Sequence, residues 1–186
     1  MRARPIVTGL LGAGLAVAVL AAALRLFMSR PAEDRLAPQE QVDIAALRAP
    51  LPPPSFLACP PSYCAAHPAI TTPVFAVSWQ HLKDDWTGMI GAEPRVVRVE
   101  TRSDRRRFVY IQHSPAFGFP DIITVEFVAL GPDRSGIALY SRSRYGRNDF
   151  GKNRERVERW LRLLEKIAPA AASGPQPRRA LQQGAG

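Results

Sequence analysis

An uncharged segment near the N-terminus constrains this chain more than any other feature. The residues from Ile6 to Leu24 carry no charge, and arginines flank them on both sides. As a helix, this segment would rise about 28 Å, which is close to the hydrocarbon thickness of a bilayer. Every face of that helix would be apolar, which does not suit burial in a small globular core. The sequence therefore predicts a transmembrane anchor within residues 1–28.

A cleaved secretory signal is the alternative for the same segment. The hydrophobic core of a signal sequence usually has about 7–15 residues, so the greater length of this segment favours an anchor. The alanines at positions 21–23 nevertheless provide small residues of the kind found at cleavage sites. Basic residues are almost balanced on the two flanks, and the positive-inside rule therefore assigns no orientation.

The two cysteines indicate the compartment. Cys59 and Cys64 are the only cysteines of the chain, and they lie in the Pro-rich stretch ACPPSYCAAH. Since thiols pair in oxidising compartments and stay reduced in the cytosol, we expect a small disulfide loop outside the cytoplasm. His67 alone does not complete a zinc site, and we predict no metal and no cofactor. The expected address is the inner membrane, with a single span and the domain in the periplasm, or a periplasmic or secreted protein if the segment is cleaved.

Composition divides the remainder of the chain into three parts. Residues 29–55 are rich in proline and alanine and are predicted to form an extended linker. Residues 168–186 consist mainly of Ala, Pro, Gln and Gly without apolar periodicity, which predicts a disordered tail. A globular domain is therefore expected over residues 56–167.

Two helices are predicted within this domain. Thr72 is the expected N-cap of the first, with Gly88 at its end. Its apolar stripe has helical spacing and consists of Phe75, Trp79, Leu82 and Trp86. The second is expected over residues 153–167, where apolar residues form one stripe and Arg and Glu cover the other faces.

Between the helices, four runs of residues have the alternation of β-strands. They cover residues 95–102, 106–113, 122–130 and 135–145, and short polar turns typical of hairpins separate several of them. The predicted fold is therefore α+β with two layers, in the order helix, four-stranded antiparallel sheet, helix. Both helices are expected on one face of the sheet, and an N-terminal transmembrane helix precedes the domain.

The chain is basic, with 25 Lys and Arg against 16 Asp and Glu. A concentrated basic surface would be the electrostatic mark of nucleic-acid binding. Here the positive charges alternate with acidic residues along the strands and the last helix, and the expected address excludes most nucleic acid. We therefore predict no nucleic-acid partner.

The densest polar segment of the sequence provides the candidate ligand site. Arg142 and Arg144 share one face of the last strand with Tyr140, while Ser141 and Ser143 point the other way. Two arginines on one face would hold a carboxylate or phosphate by forked hydrogen bonds, and amides at a helix start would add positive potential. The candidate ligand-binding residues are Arg142, Arg144, Asp149, Asn153 and Asp121. The alternative is that Arg142 or Arg144 pairs with Asp149 or Asp121 and holds the strand to the loop.

Three motifs resemble the domain of unknown function 1499 family. They are the run SRSRYGRNDFGKNRERVERWL, the sequence GFPD at Gly118 to Asp121, and the CPPSYC loop. The resemblance covers about residues 59–164, and the segment from Ser141 to Arg154 is its most specific part. Members of this family look like secreted, membrane-attached or thylakoid-lumen proteins, so the resemblance implies an address outside the cytosol. The family has no established activity, and no catalytic residues are carried over.

Three functional hypotheses follow from the sequence. The first is a non-enzymatic envelope module at the inner membrane, which binds a protein partner or an anionic ligand. The second is an envelope hydrolase-like enzyme that uses Asp121 or His113 as a base, with Arg142 and Arg144 as electrostatic stabilisers. The third is a structural subunit whose basic surface rests on anionic lipid. A pocket lined by these residues would favour the enzyme, whereas mutual ion pairs would favour a structural role.

Overall fold

The computed structural model of the protein describes residues 36–37, 40–99 and 106–171. The predicted anchor within residues 1–28 lies outside this part of the chain, and so does most of the predicted tail. Within the ranges described, no helix has both the length and the apolar character that a membrane crossing requires.

Eight elements form an α+β domain, which confirms the predicted class. The strands are β1 (Ser55–Cys59), β2 (Ile70–Thr71), β3 (Val96–Val99), β4 (Arg107–His113), β5 (Pro120–Gly131) and β6 (Arg134–Ser143), and the helices are α1 (Trp79–Gly91) and α2 (Lys152–Ile167). The strands form one sheet in the order β2-β1-β6-β5-β4-β3. Only the β1–β2 pair is parallel among the pairs of this sheet.

The sheet has six strands, so the predicted number of four was wrong. The two additional strands, β1 and β2, lie in the Pro-rich region and contain five and two residues. Segments this short have too few alternating apolar and polar residues to be recognised as strands in the sequence. They form strands because a neighbouring strand provides backbone groups for hydrogen bonding. In this case β1 pairs with β6 on one side and with β2 on the other.

The first helix begins later than its sequence predicts. Its N-cap is Ser78, whose side chain accepts a hydrogen bond from the His81 amide. Thr72 is buried instead, and its hydroxyl donates to the carbonyl of Ile137. Phe75 forms a bridge with Ser135 in an extended segment. Phe75 continues the apolar spacing of the helix because both segments face the same core.

Both helices pack on one face of the sheet, around two tryptophans. The rings of Trp86 and Trp160 meet edge to face at a centroid distance of 5.7 Å, and Phe127 approaches Trp86 in a similar way. The indole nitrogen of Trp86 donates to the hydroxyl of Tyr110 over 3.1 Å, which satisfies its buried N–H. Strands β4 to β6 contribute the inward-facing residues at alternate positions, as their sequences predict.

The second face of the sheet is covered by residues from the segment predicted as linker. Ile44 is fully buried there, in a cluster with Leu57, Ala66 and Tyr140. The Cys59–Cys64 disulfide lies in the same cluster and confirms the predicted pairing. Residues 40–51 are therefore packed against the domain in this structure.

Glu126 joins the elements on this second face. Its carboxylate is almost completely buried and accepts hydrogen bonds from the Ile44 amide, the Tyr63 hydroxyl and the Arg107 guanidinium at 3.1, 2.9 and 2.6 Å. Burial, together with the neighbouring Glu126 carboxylate, raises the pKa of Tyr63, so its phenol remains protonated and donates. One buried charge thus fastens the N-terminal segment and the disulfide loop to β5.

Ile44→Ala should destabilise the protein by about 2–5 kcal/mol, because it removes a fully buried side chain from the apolar cluster on the second face of the sheet. The matched control is Ile167→Ala, since Ile167 is about half exposed at the end of α2. Chemical denaturation of both variants measures the difference. Equal stability of the two variants would contradict the packing of residues 40–51.

Candidate functional site

The sheet separates the predicted site residues into two groups. Arg142 and Arg144 lie on the second face with Tyr140, because alternate residues of β6 share a face. Asp121 and Asn153 lie on the helix face, where both belong to one polar network. The five residues therefore do not form a single ligand site in this structure.

Arg156 is the centre of the network on the helix face. Its guanidinium donates to Gln112 of β4 at 2.5 Å, to Asp121 of β5 at 2.5 Å and to Ser141 of β6 at 2.8 Å. A further bond of 2.9 Å goes to Asn153, one turn earlier in α2. The Arg156 side chain is only 8% exposed. A buried guanidinium with all three nitrogens bonded to the protein serves to hold α2 onto three strands.

Asp149 occupies the start of α2. Its carboxylate accepts bonds from the backbone amides of Gly151 and Asn153 at 3.1 and 2.7 Å, and from the Asn153 side chain at 2.7 Å. Partial burial would raise the pKa of Asp149, but these three donors outweigh it and lower the pKa. The exposed amides predicted to attract an external anion are therefore bonded to a carboxylate of the chain itself.

The arginines of the second face bind Glu40. Arg144 forms a forked pair with the Glu40 carboxylate at 2.7 and 2.5 Å, and both side chains are largely buried. Arg142 donates to the main-chain carbonyl of Glu40 at 3.1 Å. The hydrogen bond from Arg144 lowers the pKa of Glu40 despite the opposing effect of burial. The predicted pairing with Asp149 or Asp121 was therefore wrong, because the acid that binds Arg144 is Glu40.

The two predicted bases lie on opposite faces of the sheet. Asp121 is bound by Arg156 on the helix face. His113 of β4 alternates with Gln112 and so belongs to the second face, where its Nδ1 lies 2.9 Å from the carbonyl oxygen of Gly118. His113 shares that face with Arg142 and Arg144, whereas Asp121 does not.

The most exposed large apolar side chains of the described residues are aromatic. Phe117 and Phe119, in the loop between β4 and β5, are 71% and 58% exposed, and their rings lie 5.9 Å apart. Tyr145 and Phe150, in the loop between β6 and α2, are 57% and 88% exposed. The two loops are neighbours, since the Arg144 amide donates to the Pro120 carbonyl. We call the end of the domain formed by residues 114–119 and 144–151 the aromatic end.

Surface depressions occur away from the predicted site. One of about 360 Å³ lies beside Tyr63, Arg107 and Glu126. Another of about 330 Å³ follows the disulfide loop and includes His67. Neither is lined by the predicted ligand residues.

Sequence reasoning missed Arg156, although a signal was present. Asn153 and Arg156 are three residues apart, and Trp160 follows four residues later, which places all three on the buried face of one helix. A charged residue on an apolar helix face requires polar partners opposite it, and Ser141 supplies one of them. Glu40 had no comparable signal, because its partner Arg144 is 104 positions away.

The fold and the site place this protein in a structural class. It is a two-layer α+β domain with internal ion pairs and with exposed aromatic loops at one end. The sequence profile of the family described as "Protein of unknown function (DUF1499)" matches residues 66–164, which is more than half of the chain. The chain belongs to this family, as the resemblance of its polar segment predicts. No curated protein and no solved structure matches the chain.

Arg156→Ala should lower the free energy of unfolding by about 3–5 kcal/mol, because it leaves the Asp121 carboxylate without its buried partner. The control is Arg162→Ala on the exposed side of the same helix, which should change stability by less than about 1 kcal/mol. Adding Asp121→Asn to Arg156→Ala should recover part of the loss. If Arg156→Ala costs no more than the control, the network does not hold the helix.

Glu40→Gln should lower stability at neutral pH by roughly 1–3 kcal/mol, since it breaks a charged hydrogen bond. Because the folded-state pKa of Glu40 is lowered from 4.5, its contribution is complete above that value and is lost as the pH falls through the folded-state pKa. The difference between the parent chain and Glu40→Gln should therefore shrink in acid. Denaturation at several pH values measures it, with exposed Glu165→Gln as the charge-matched control. A difference that is independent of pH would contradict the ion pair.

Proposed function

We propose that this chain is a membrane-tethered, periplasm-facing and non-enzymatic binding module of the cell envelope. The tether is the apolar segment from Ile6 to Leu24, and the binding surface is the aromatic end. The partner is a protein or an anionic ligand of the envelope. If the tether is cleaved after export, the same module acts as a periplasmic or secreted protein.

The exposure of the aromatic end carries this proposal. Phenylalanine is normally buried, and four aromatic side chains on two adjacent loops exceed the scattered apolar residues of an ordinary surface. The bases of both loops are fixed by the Arg156 network, through Gln112, Asp121 and Ser141. A rigid display of exposed rings is typical of a surface that another molecule covers.

The disulfide supports the address. Cys59 and Cys64 form a bridge, and the chain contains no further cysteine. Such bridges persist in oxidising compartments and are rare in the cytosol. Together with the length of the apolar segment, this favours a domain outside the inner membrane.

The geometry is less favourable to the hydrolase alternative. Asp121 would have to abandon a charged hydrogen bond from Arg156 to act as a base. Arg142 and Arg144 already hold the carbonyl and the carboxylate of Glu40. Because each of these side chains is bonded to another group of the chain, they serve the fold.

A full-length chain with alkaline phosphatase fused after Gly186 tests the address and the binding surface together. A photoreactive amino acid replaces Phe150 in one version and Leu130 in the control version, because Leu130 lies at the other end of β5. We expect active phosphatase in both versions. After irradiation of cells, we expect a covalent adduct on the peptide around position 150 only, detected by mass spectrometry.

The two readouts fail independently. Inactive phosphatase would overturn the periplasmic address. Equal adduct formation at the two positions, or none at position 150, would overturn the aromatic end as the binding surface.

A further inference from the structure

We infer that the aromatic end docks on the bilayer to which the chain is tethered, with its rings in the interfacial region and its basic residues against anionic lipid headgroups. This inference rests on the proposed function, because it identifies the partner of the same surface. Three independent features support this docking. They are the exposed aromatic rings at the loop tips, the basic side chains around them, and the path of the chain.

The aromatic side chains have the character of interfacial anchors. Trp and Tyr concentrate at the boundary between lipid and water, and Phe supplies buried apolar contacts of interfacial anchors. Phe150 is 88% exposed, so it projects from its loop instead of lining a groove. Phe117 and Phe119 lie together at the tip of the neighbouring loop. Projecting rings suit a soft, extended partner such as the headgroup layer.

The backbone of this end is held in a costly conformation. Phe150 has a φ of 51° and Arg95, beside the same loops, has a φ of 58°. Bulky residues rarely adopt the left-handed region, and such positions persist only where the surroundings enforce them. The Asn148 side chain accepts the Phe150 amide at 2.8 Å, and Asp149 anchors the next turn. The backbone that carries the exposed ring is therefore held by its own loop, and docking requires little ordering of that loop.

Exposed basic side chains lie in the aromatic end and beside it. They are Arg147 within the end, and Arg95 and Lys152 just outside it. Glu40, Glu93 and Asp121 nearby are each paired with an arginine. Asp149 is bonded to neutral amides, so its negative charge is not cancelled and reduces the positive charge of this end. Lys152 also contacts the exposed Glu155, and this pairing reduces the attraction of Lys152 to an anionic surface. Each basic residue near an anionic membrane surface contributes about 1 kcal/mol of attraction.

The path of the chain brings the same end toward the membrane. Glu40 is held by Arg144, next to Tyr145, so the packed part of the chain starts at the aromatic end. The chain between Leu24 and Glu40 spans at most about 58 Å, at no more than about 3.6 Å per residue. The opposite end of the sheet, at Gly131, is a further 35 Å away or so, given the rise of about 3.3 Å per residue along β5. Of the two ends of the sheet, the aromatic end is therefore the one that follows the predicted tether most closely along the chain.

Quenching of tryptophan fluorescence by brominated lipid tests the docking. The full-length chain is reconstituted in vesicles of equal parts phosphatidylglycerol and acyl-brominated phosphatidylcholine, with Phe150→Trp, Phe117→Trp or the control Leu130→Trp. The signal of the parent chain is subtracted, because its own tryptophans are retained. We expect the tryptophans introduced at positions 150 and 117 to be quenched several-fold more strongly than the one at position 130.

Charge is tested in the same vesicles. Arg147→Glu in the Phe150→Trp background should reduce the quenching, and replacing phosphatidylglycerol by phosphatidylcholine should reduce it in the same direction. Arg162→Glu, on the exposed side of α2, is the control that should leave the quenching unchanged. If quenching changes neither with the lipid charge nor with Arg147→Glu, the inferred binding of basic residues to anionic headgroups is wrong.

The outcomes separate this inference from the proposed function. If the chain stays in the vesicles after a carbonate wash but positions 150 and 117 are quenched no more than position 130, membrane docking is wrong and the surface is left for a protein partner. If the wash removes the chain from the vesicles, the tether itself is wrong. Phe117→Trp keeps the test valid if Phe150→Trp does not fold.

Discussion

The guanidinium of Arg156 is the contact on which the rest of this domain depends. It reaches side chains of three adjacent strands and so fixes α2 against the sheet at one end. The loops that leave this end begin or finish within a few residues of its partners Asp121 and Ser141. A buried charge of this kind adds little net stability compared with apolar packing, but it penalises every arrangement that leaves it unpaired. As a result, the two loops at this end start from fixed positions.

The other face of the sheet uses carboxylates for the same purpose. Glu126 gathers the N-terminal segment, the disulfide loop and Arg107, while Glu40 closes the segment against Arg144. Both faces are therefore covered, one by helices and the other by an irregular segment with a buried isoleucine, Ile44. An irregular cover needs such polar fastenings because it brings few backbone bonds of its own.

The central strands, the second helix and the disulfide could be predicted because their signals are local. Alternation in β4 to β6 and the apolar stripe of α2 reveal which residues point together. Alternation does not reveal how the faces of neighbouring strands align, so the sequence predicts one site for Arg142 and Asp121 although the sheet divides them. The partnership of Glu40 with Arg144 spans 104 positions and depends on how the chain folds back, which no local pattern encodes.

The position of β1 inside the sheet has a consequence for how the domain is delimited. The region matched by the family profile starts at residue 66, after β1 and after both cysteines. A fragment cut at that point would strip the partner from the long strand β6 and turn it into a bare edge. Exposed edges recruit strands from other molecules, so truncation there would favour aggregation over a smaller soluble unit. The packed unit of this chain therefore includes β1, the disulfide loop and the segment from Glu40 onward.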